Sequence, residues 1–255
     1  MKKTVLLMIL ALCLSGCMAN TLYTISPEEY TRQVKTLGVL PILIDAESIQ
    51  YESREELFSL LEISTAAVQQ PLVEKLRRAG RHFDVRPVVG DPQVLRSRLL
   101  ADATVVGEAA ATRIKYTFDS QGSSQLADEA VVDALLVVVV HGVKRQEKRW
   151  SSFSLRMDYL WADYSSLLYT AAIIHPTGRV LWQLDQPPGE VMLMLDYPDF
   201  TEAYWNRTET VRIKPITLTG LQRTLQEPEL GLMVDKEIPK LFSRMIDRIV
   251  QQMKR

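Results

Sequence analysis

The chain has 255 residues, 47% hydrophobic and 24% charged, the proportions of an ordinary globular protein rather than a disordered, collagen-like or multi-span membrane chain. Thirty Lys and Arg against 31 Asp and Glu give a formal net charge of −1, so no global basic field exists to hold nucleic acid through its phosphates. The two cysteines, Cys13 and Cys17, both lie near the N-terminus, which excludes a disulfide framework or a thiolate metal site in the rest of the chain.

Met1-Lys2-Lys3, an apolar run from Val5 to Leu14 and then Ser15-Gly16-Cys17 are the parts of an export signal. The run is too short to span a bilayer core of about 30 Å, so a transmembrane anchor is the weaker reading. Leu14-Ser15-Gly16-Cys17 resembles the lipobox of bacterial lipoproteins. The resemblance implies cleavage before Cys17, a diacylglycerol on its sulfur and an N-acyl chain, with no other cofactor. The alternative is an ordinary secretory signal with a chance cysteine. Residues 1–16 are then the signal, 17–35 a lipidated tether and 36–255 a single α/β domain. Without Lys2 and Lys3 the mature charge is 28 − 31 = −3. In that family the absence of Asp after the cysteine, here Met18, implies the outer membrane, with the body in the periplasm. Cys13 leaves with the signal, which suits an oxidising compartment.

Along the mature chain, Ser26-Pro27-Glu28-Glu29 is a helix start: Ser as cap, Pro first, acids at the positive dipole end. Leu37 to Ile44 reads as a buried strand whose middle Pro41 demotes to a bulge or an edge. Ser53-Arg-Glu-Glu56 has the capping-box pattern and opens a helical region to Gly80, with a break expected near Pro71. Residues 82–89 alternate through Phe83 and Val85 as a second strand, and Asp91-Pro92 starts a helix with Val94, Leu95, Leu99 and Leu100 inward. In 101–132 the Ala-rich stretches favour helix, while Gly122-Ser-Ser124 reads as a loop. Leu135 to Val140, with four consecutive valines, predicts a central strand covered on both faces. Residues 144–165 read as a charged, aromatic-rich connector. Ser166 to Ile174 and Arg179 to Leu184 then form a hairpin about Pro176-Thr-Gly178. Beyond it, strands are expected over 191–195 and 211–218 and a short helix over 200–206. The C-terminal helix carries the stripe Leu241, Phe242, Met245, Ile246, Ile249, Val250 and Met253, whose width favours burial.

Alternating helices and strands predict a mixed α/β fold with helices packed on the sheet. Leu37-Gly-Val-Leu-Pro-Ile, Asp133 to Val140 and Ile173-Ile-His-Pro-Thr-Gly-Arg-Val-Leu-Trp182 are similar to the opening strand, central strand and hairpin of bacterial envelope proteins with a TolB-N-terminal or CsgG-like fold. The resemblance covers most of 36–185 and 238–253. It implies roles in envelope assembly, secretion or enzyme regulation through protein contacts, and it supplies no catalytic residues.

His82, His141 and His175 have no metal-ligand spacing, although His82 and His141 could meet if their strands adjoin. No nucleophile elbow and no phosphate loop occurs. Ser151, Ser152, Ser154, Ser165 and Ser166 around Asp158 and Asp163 leave a periplasmic hydrolase as a remote alternative. The feature that most suggests function is residues 144–164, where bases interleave with aromatics. Arg149, Trp150, Phe153, Arg156, Tyr159 and Trp161 are the candidate partner-binding residues, because arginine and aromatics dominate interface hot spots. The partner is a protein, a second copy or lipid headgroups. The competing reading has the aromatics capping the sheet above a solvated basic rim. The expectation is thus a non-enzymatic, bilayer-anchored interaction or assembly factor. A ring-forming export component of CsgG type is the alternative. It requires a membrane hairpin of about 9–11 residues per strand, for which 191–218 is the only candidate.

Overall fold

The computed structural model describes residues 23–151, 159–228 and 238–254. The signal, the lipobox with Cys17, and two candidate contact residues, Phe153 and Arg156, lie outside the described residues. The fold is mixed α/β, as expected. Its elements in chain order are α1 (Pro27–Gln33), β1 (Thr36–Val39), β2 (Leu43–Asp45), α2 (Arg54–Thr65), α3 (Gln69–Ala79), β3 (Asp84–Pro87), α4 (Pro92–Leu99), β4 (Leu100–Val106), β5 (Arg113–Phe118) and α5 (Ser120–Ala130). They continue with β6 (Ala134–Trp150), β7 (Tyr159–Ile174), β8 (Val180–Asp185), β9 (Leu193–Met194), β10 (Asp196–Pro198), α6 (Phe200–Trp205), β11 (Ile213–Pro215), α7 (Leu218–Leu225) and α8 (Lys240–Met253).

The main sheet runs β3-β1-β6-β7-β8, with β2 also beside β6 and β9 beside β7. β1 is parallel to β3 and β6, while β6, β7 and β8 are antiparallel. The valine run is buried on both sides because successive side chains serve different cores. Leu136, Val138 and Val140 face α2, α3, α7 and α8. Leu135, Val137 and Val139 face α4, α5 and the β4–β5 hairpin. The C-terminal stripe lies in the first core, with Phe242, Met245, Ile246, Ile249, Val250 and Met253 all buried, as its width predicts.

Several local expectations are corrected. Residues 23–35 belong to the fold. Ser26 caps α1 by accepting the Glu29 N–H at 3.1 Å, and Tyr30 and Val34 are in the core. The 53–80 region is two helices broken at 66–68, and Pro71 sits in the first turn of α3, where its missing N–H has no intrahelical acceptor to lose. Ser53 makes no capping bond. The second strand shrinks to β3, and Phe83 before it is 91% exposed. Val94 points outward, whereas Leu95 and Leu99 are buried. Over 211–218, only 213–215 is strand, and the expected strand's last residue opens α7.

Gly122-Ser-Ser124 is helical, in the first turn of α5, which Asp119 caps through the Gly122 N–H at 2.6 Å. Glycine is required there by close packing, since a Cβ would sit 1.9 Å from the Arg98 carbonyl oxygen. Gly122→Ala is therefore expected to cost about 1–3 kcal/mol through overpacking, read as a lower urea midpoint. An unchanged midpoint would refute the contact.

Candidate functional site

The expected connector 144–165 is instead the outer half of a long hairpin. β6 has 17 residues and β7 has 16, paired without a break from Leu135↔Ile174 to Trp150↔Tyr159. β2 leaves β6 at the Asp45↔His141 pair, and β9 leaves β7 at Met194↔Ser166. Beyond them, the Ser165 N–H still reaches the Asp196 carboxylate at 2.9 Å. Residues 145–150 and 159–164 then pair only with each other, and this ribbon projects about 20 Å at 3.4 Å per residue.

Residue alternation gives the ribbon two unlike faces. Lys144, Gln146, Lys148 and Trp150 share one face with Tyr159, Trp161 and Asp163. Its aromatics are open: Trp150 is 53% exposed, Tyr159 52% and Trp161 51%. Trp150 and Tyr159 are tilted rings 5.2 Å apart, and the Lys148 ammonium lies 3.7 Å from the Tyr159 centroid and 4.3 Å from that of Trp150. Each such cation–π contact at an exposed site contributes roughly 0.5–1 kcal/mol and holds the rings in place.

The other face carries Arg145, Glu147, Arg149 and Tyr164. Arg145, Glu147 and Tyr164 are buried. The Arg145 Nε donates to Glu147 Oε1 at 2.9 Å, Arg149 pairs with Glu147 Oε2, and Arg145 also donates to the Glu190 carbonyl. Glu190 in turn pairs with Arg248 of α8. Isolated two-stranded hairpins are marginal in water. This chain of ion pairs fastens the ribbon root to the body and leaves the aromatic face to solvent.

The histidines are not brought together. The His82 Nε2 meets the Tyr30 hydroxyl at 2.8 Å. The His141 Nε2 meets the Thr170 hydroxyl at 3.3 Å, and its ring lies edge-on to Tyr116 at 5.8 Å. Burial holds both imidazoles down to about 4, Arg81 adding to it at His82. Around His141 runs a polar seam: Asp45 takes Arg96 at 2.8 Å and the Tyr116 hydroxyl at 2.9 Å, and the Thr170 hydroxyl donates to Asp185 at 3.0 Å. His175 sits in the β7–β8 turn and accepts the Thr177 N–H at 3.2 Å. Of the serines weighed for catalysis, Ser166 is buried in β7, while Ser152, Ser154 and Asp158 lie outside the described residues. No group of three or more metal-ligating side chains forms among the described residues.

Where the chain meets the body complements the ribbon. Tyr23 bridges to Trp182 of β8, and the Thr24 N–H donates to the Leu181 carbonyl at 3.0 Å. The Tyr23 hydroxyl donates to the Met253 carbonyl at 2.8 Å at the end of α8, and Arg81 lies 5.0 Å from its ring. Trp182 is level with Ile173, and Ile173 with Leu136. The ribbon's last described pair is therefore 150 − 136 = 14 residues further along β6, about 45 Å away at 3.3 Å each. The N-terminal arm and the aromatic ribbon occupy opposite ends of the molecule. The ribbon's true length could not be read from the sequence, because every residue from Lys144 to Arg149 is polar. The legible signal was chemical, the aromatic and basic interleaving, and it marks the surface that the structure leaves open.

No family model matches the sequence, and no curated protein is recognisably similar to it. Among solved structures, a Helicobacter pylori protein named as a homologue of neuraminyllactose-binding hemagglutinin aligns over 86% of this chain and 85% of its own. It has 9% identity and a TM-score of 0.36, too loose an alignment to carry an argument about fold or ligand.

Proposed function

We propose that this chain is a lipid-anchored envelope protein, held through acylated Cys17 to the periplasmic face of the outer membrane, and that it acts without catalysis by presenting the β6–β7 ribbon to a protein partner. The observation that carries the reading is the separation just described. Five residues separate Cys17 from Tyr23, so the leash, six Cα–Cα steps, spans at most about 20 Å, and the open aromatic face lies at the far end. The lipobox supplies the anchor, and the open, cation-braced aromatics supply a surface of hot-spot composition. The resemblance of most of 36–185 and 238–253 to TolB-N-terminal and CsgG-like domains supports the same kind of role.

In Trp150→Ala/Trp161→Ala, a partner captured by crosslinking in living cells is expected to be lost, with affinity reduced at least tenfold, while the unfolding free energy falls by only about 1–2 kcal/mol, the cation–π and ring contacts that Trp150 gives up, and the body stays folded. Undiminished capture by the folded double variant would remove the ribbon from the reading.

The ribbon's length also favours the CsgG-type alternative. Its chemistry does not, since Lys144 and Lys148 on one face and Arg145 and Arg149 on the other leave neither described face apolar. A Lys or Arg facing lipid at midplane costs about 2–4 kcal/mol. Light scattering on the eluting protein is expected to give a monomer, and a ring-sized mass would restore the alternative.

A further inference from the structure

The end opposite the ribbon has its own unexplained surface. Phe83 precedes β3 and is 91% exposed, its N–H held at 2.8 Å by the Lys35 carbonyl just before β1. Val131, between α5 and β6, is 69% exposed and left-handed, with φ +53°. A β-branched residue in that conformation is a genuine outlier, and an open turn favours Gly or Asn there. Both side chains stand at the rim where β3, β1 and β6 begin. Cations surround the N-terminal arm at the same end. Arg179 donates to Gln33 at 3.4 Å beside the Thr24 hydroxyl, which holds the Val180 carbonyl at 2.5 Å. Lys254 follows the Met253 carbonyl that Tyr23 and Arg81 hold. Arg32 is exposed in the last turn of α1. None of Arg32, Arg81, Arg179 or Lys254 has a carboxylate partner among the described residues. The carboxylates of this end are Glu28 and Glu29 in the first turn of α1, where the helix dipole favours them, Asp128 in α5, Asp133, which takes the Lys35 and Thr36 N–H groups, and two that are already paired: Asp84, next to Phe83, with Arg86 at 2.6 Å, whose guanidinium also donates to the Val131 carbonyl at 3.0 Å, and Glu129 with Arg98 at 2.8 Å.

We infer that this rim is a second bilayer contact: Phe83 and Val131 enter the headgroup layer, while Arg32, Arg179 and Lys254 meet anionic lipid phosphates. The inference rests on the proposed anchoring at Cys17. A leash of at most about 20 Å keeps this end against the surface, where an exposed aromatic and an aliphatic group gain by leaving water and nearby cations gain from anionic lipid. The contact sets the body upright and aims the ribbon away from the membrane. One acylated residue alone leaves the body free to tumble.

The test uses the exported full chain carrying Leu14→Ala, Gly16→Ala and Cys17→Ser, which turns the lipobox into an A-x-A-type cleavage site and yields an unlipidated mature protein. Flotation with phosphatidylethanolamine vesicles containing phosphatidylglycerol is expected to show weak binding that 0.5 M salt reduces. Phe83→Ser/Val131→Gly should lower it roughly tenfold, given the apolar area involved, and Val131→Gly suits the local backbone. Arg32→Gln/Arg179→Gln/Lys254→Gln should lower it at least tenfold, at about fivefold per cation. Trp150→Ala/Trp161→Ala, at the far end, should leave it unchanged. No binding by the unlipidated parent, or binding that only the ribbon variant abolishes, would overturn the inference. Neither result bears on Cys17, whose acylation is read separately from the mass of the unaltered protein.

Discussion

Glu147→Gln is expected to destabilise the protein by about 3–5 kcal/mol, the usual cost of removing one partner from a buried ion pair. Glu147 is the shared anion between Arg145 and Arg149, and the Arg145 side chain is only 1% exposed. Without the negative charge, the Arg145 guanidinium stays buried against neutral oxygens only, the new amide's and the Glu190 backbone carbonyl. The effect should concentrate at the ribbon root, so amide exchange across 143–149 and 160–166 should quicken more than in the valine core. Arg145→Met/Glu147→Leu should recover part of the loss, because a buried pair replaced by apolar groups of similar volume is often neutral or better, but not the share that Arg145 supplies through the Glu190 carbonyl. A urea midpoint for Glu147→Gln within 1 kcal/mol of the parent would show that the pair does not hold the ribbon.

The second large effect is acid sensitivity. Burial lowers His82 and His141 to about 4 from an ordinary 6.5. Between those values the unfolded chain binds protons that the native state refuses. Stability is then full above about pH 6.5 and falls as the pH drops toward 4. Two such groups give a slope of up to about 2.7 kcal/mol per pH unit, at 1.36 each, so several kcal/mol should be gone by pH 5. His141→Gln, which keeps a hydrogen-bonding group near Thr170, should roughly halve the slope between pH 6.5 and 5. Urea midpoints over that range check it, and an unchanged slope would mean that His141 already accepts a proton in the folded state.

Much of the scaffold was legible because its residues satisfy two levels of physics at once. The run from Leu135 to Val140 is apolar at every position, and each side chain does meet a core. Asp91 and Ser26 cap their helices as their sequences require, and Pro41 falls between β1 and β2. The misreadings have common causes. Composition suggested a loop at Gly122-Ser-Ser124, but small residues are what let α5 press on the Arg98 carbonyl. Alternation placed Phe83 in a strand, and tertiary context left it in water. In the ribbon the hydropathic alternation vanishes, because the buried face is built from ion pairs instead of apolar groups. A reader of one strand sees only charges; the pairing that makes them a face is supplied by β7. The aromatic candidates Trp150, Tyr159 and Trp161 were picked by type, and their common face could be known only once the register was.

The most direct measurement is the mass of the N-terminal peptide of the protein taken from cells that make it. The proposed anchoring predicts a chain starting at Cys17, with a diacylglycerol in thioether linkage and a third acyl chain on its amine. A start at another residue, or an unmodified cysteine, would leave the body without its leash and contradict the proposal that one end of this molecule faces the bilayer while the other reaches for a partner.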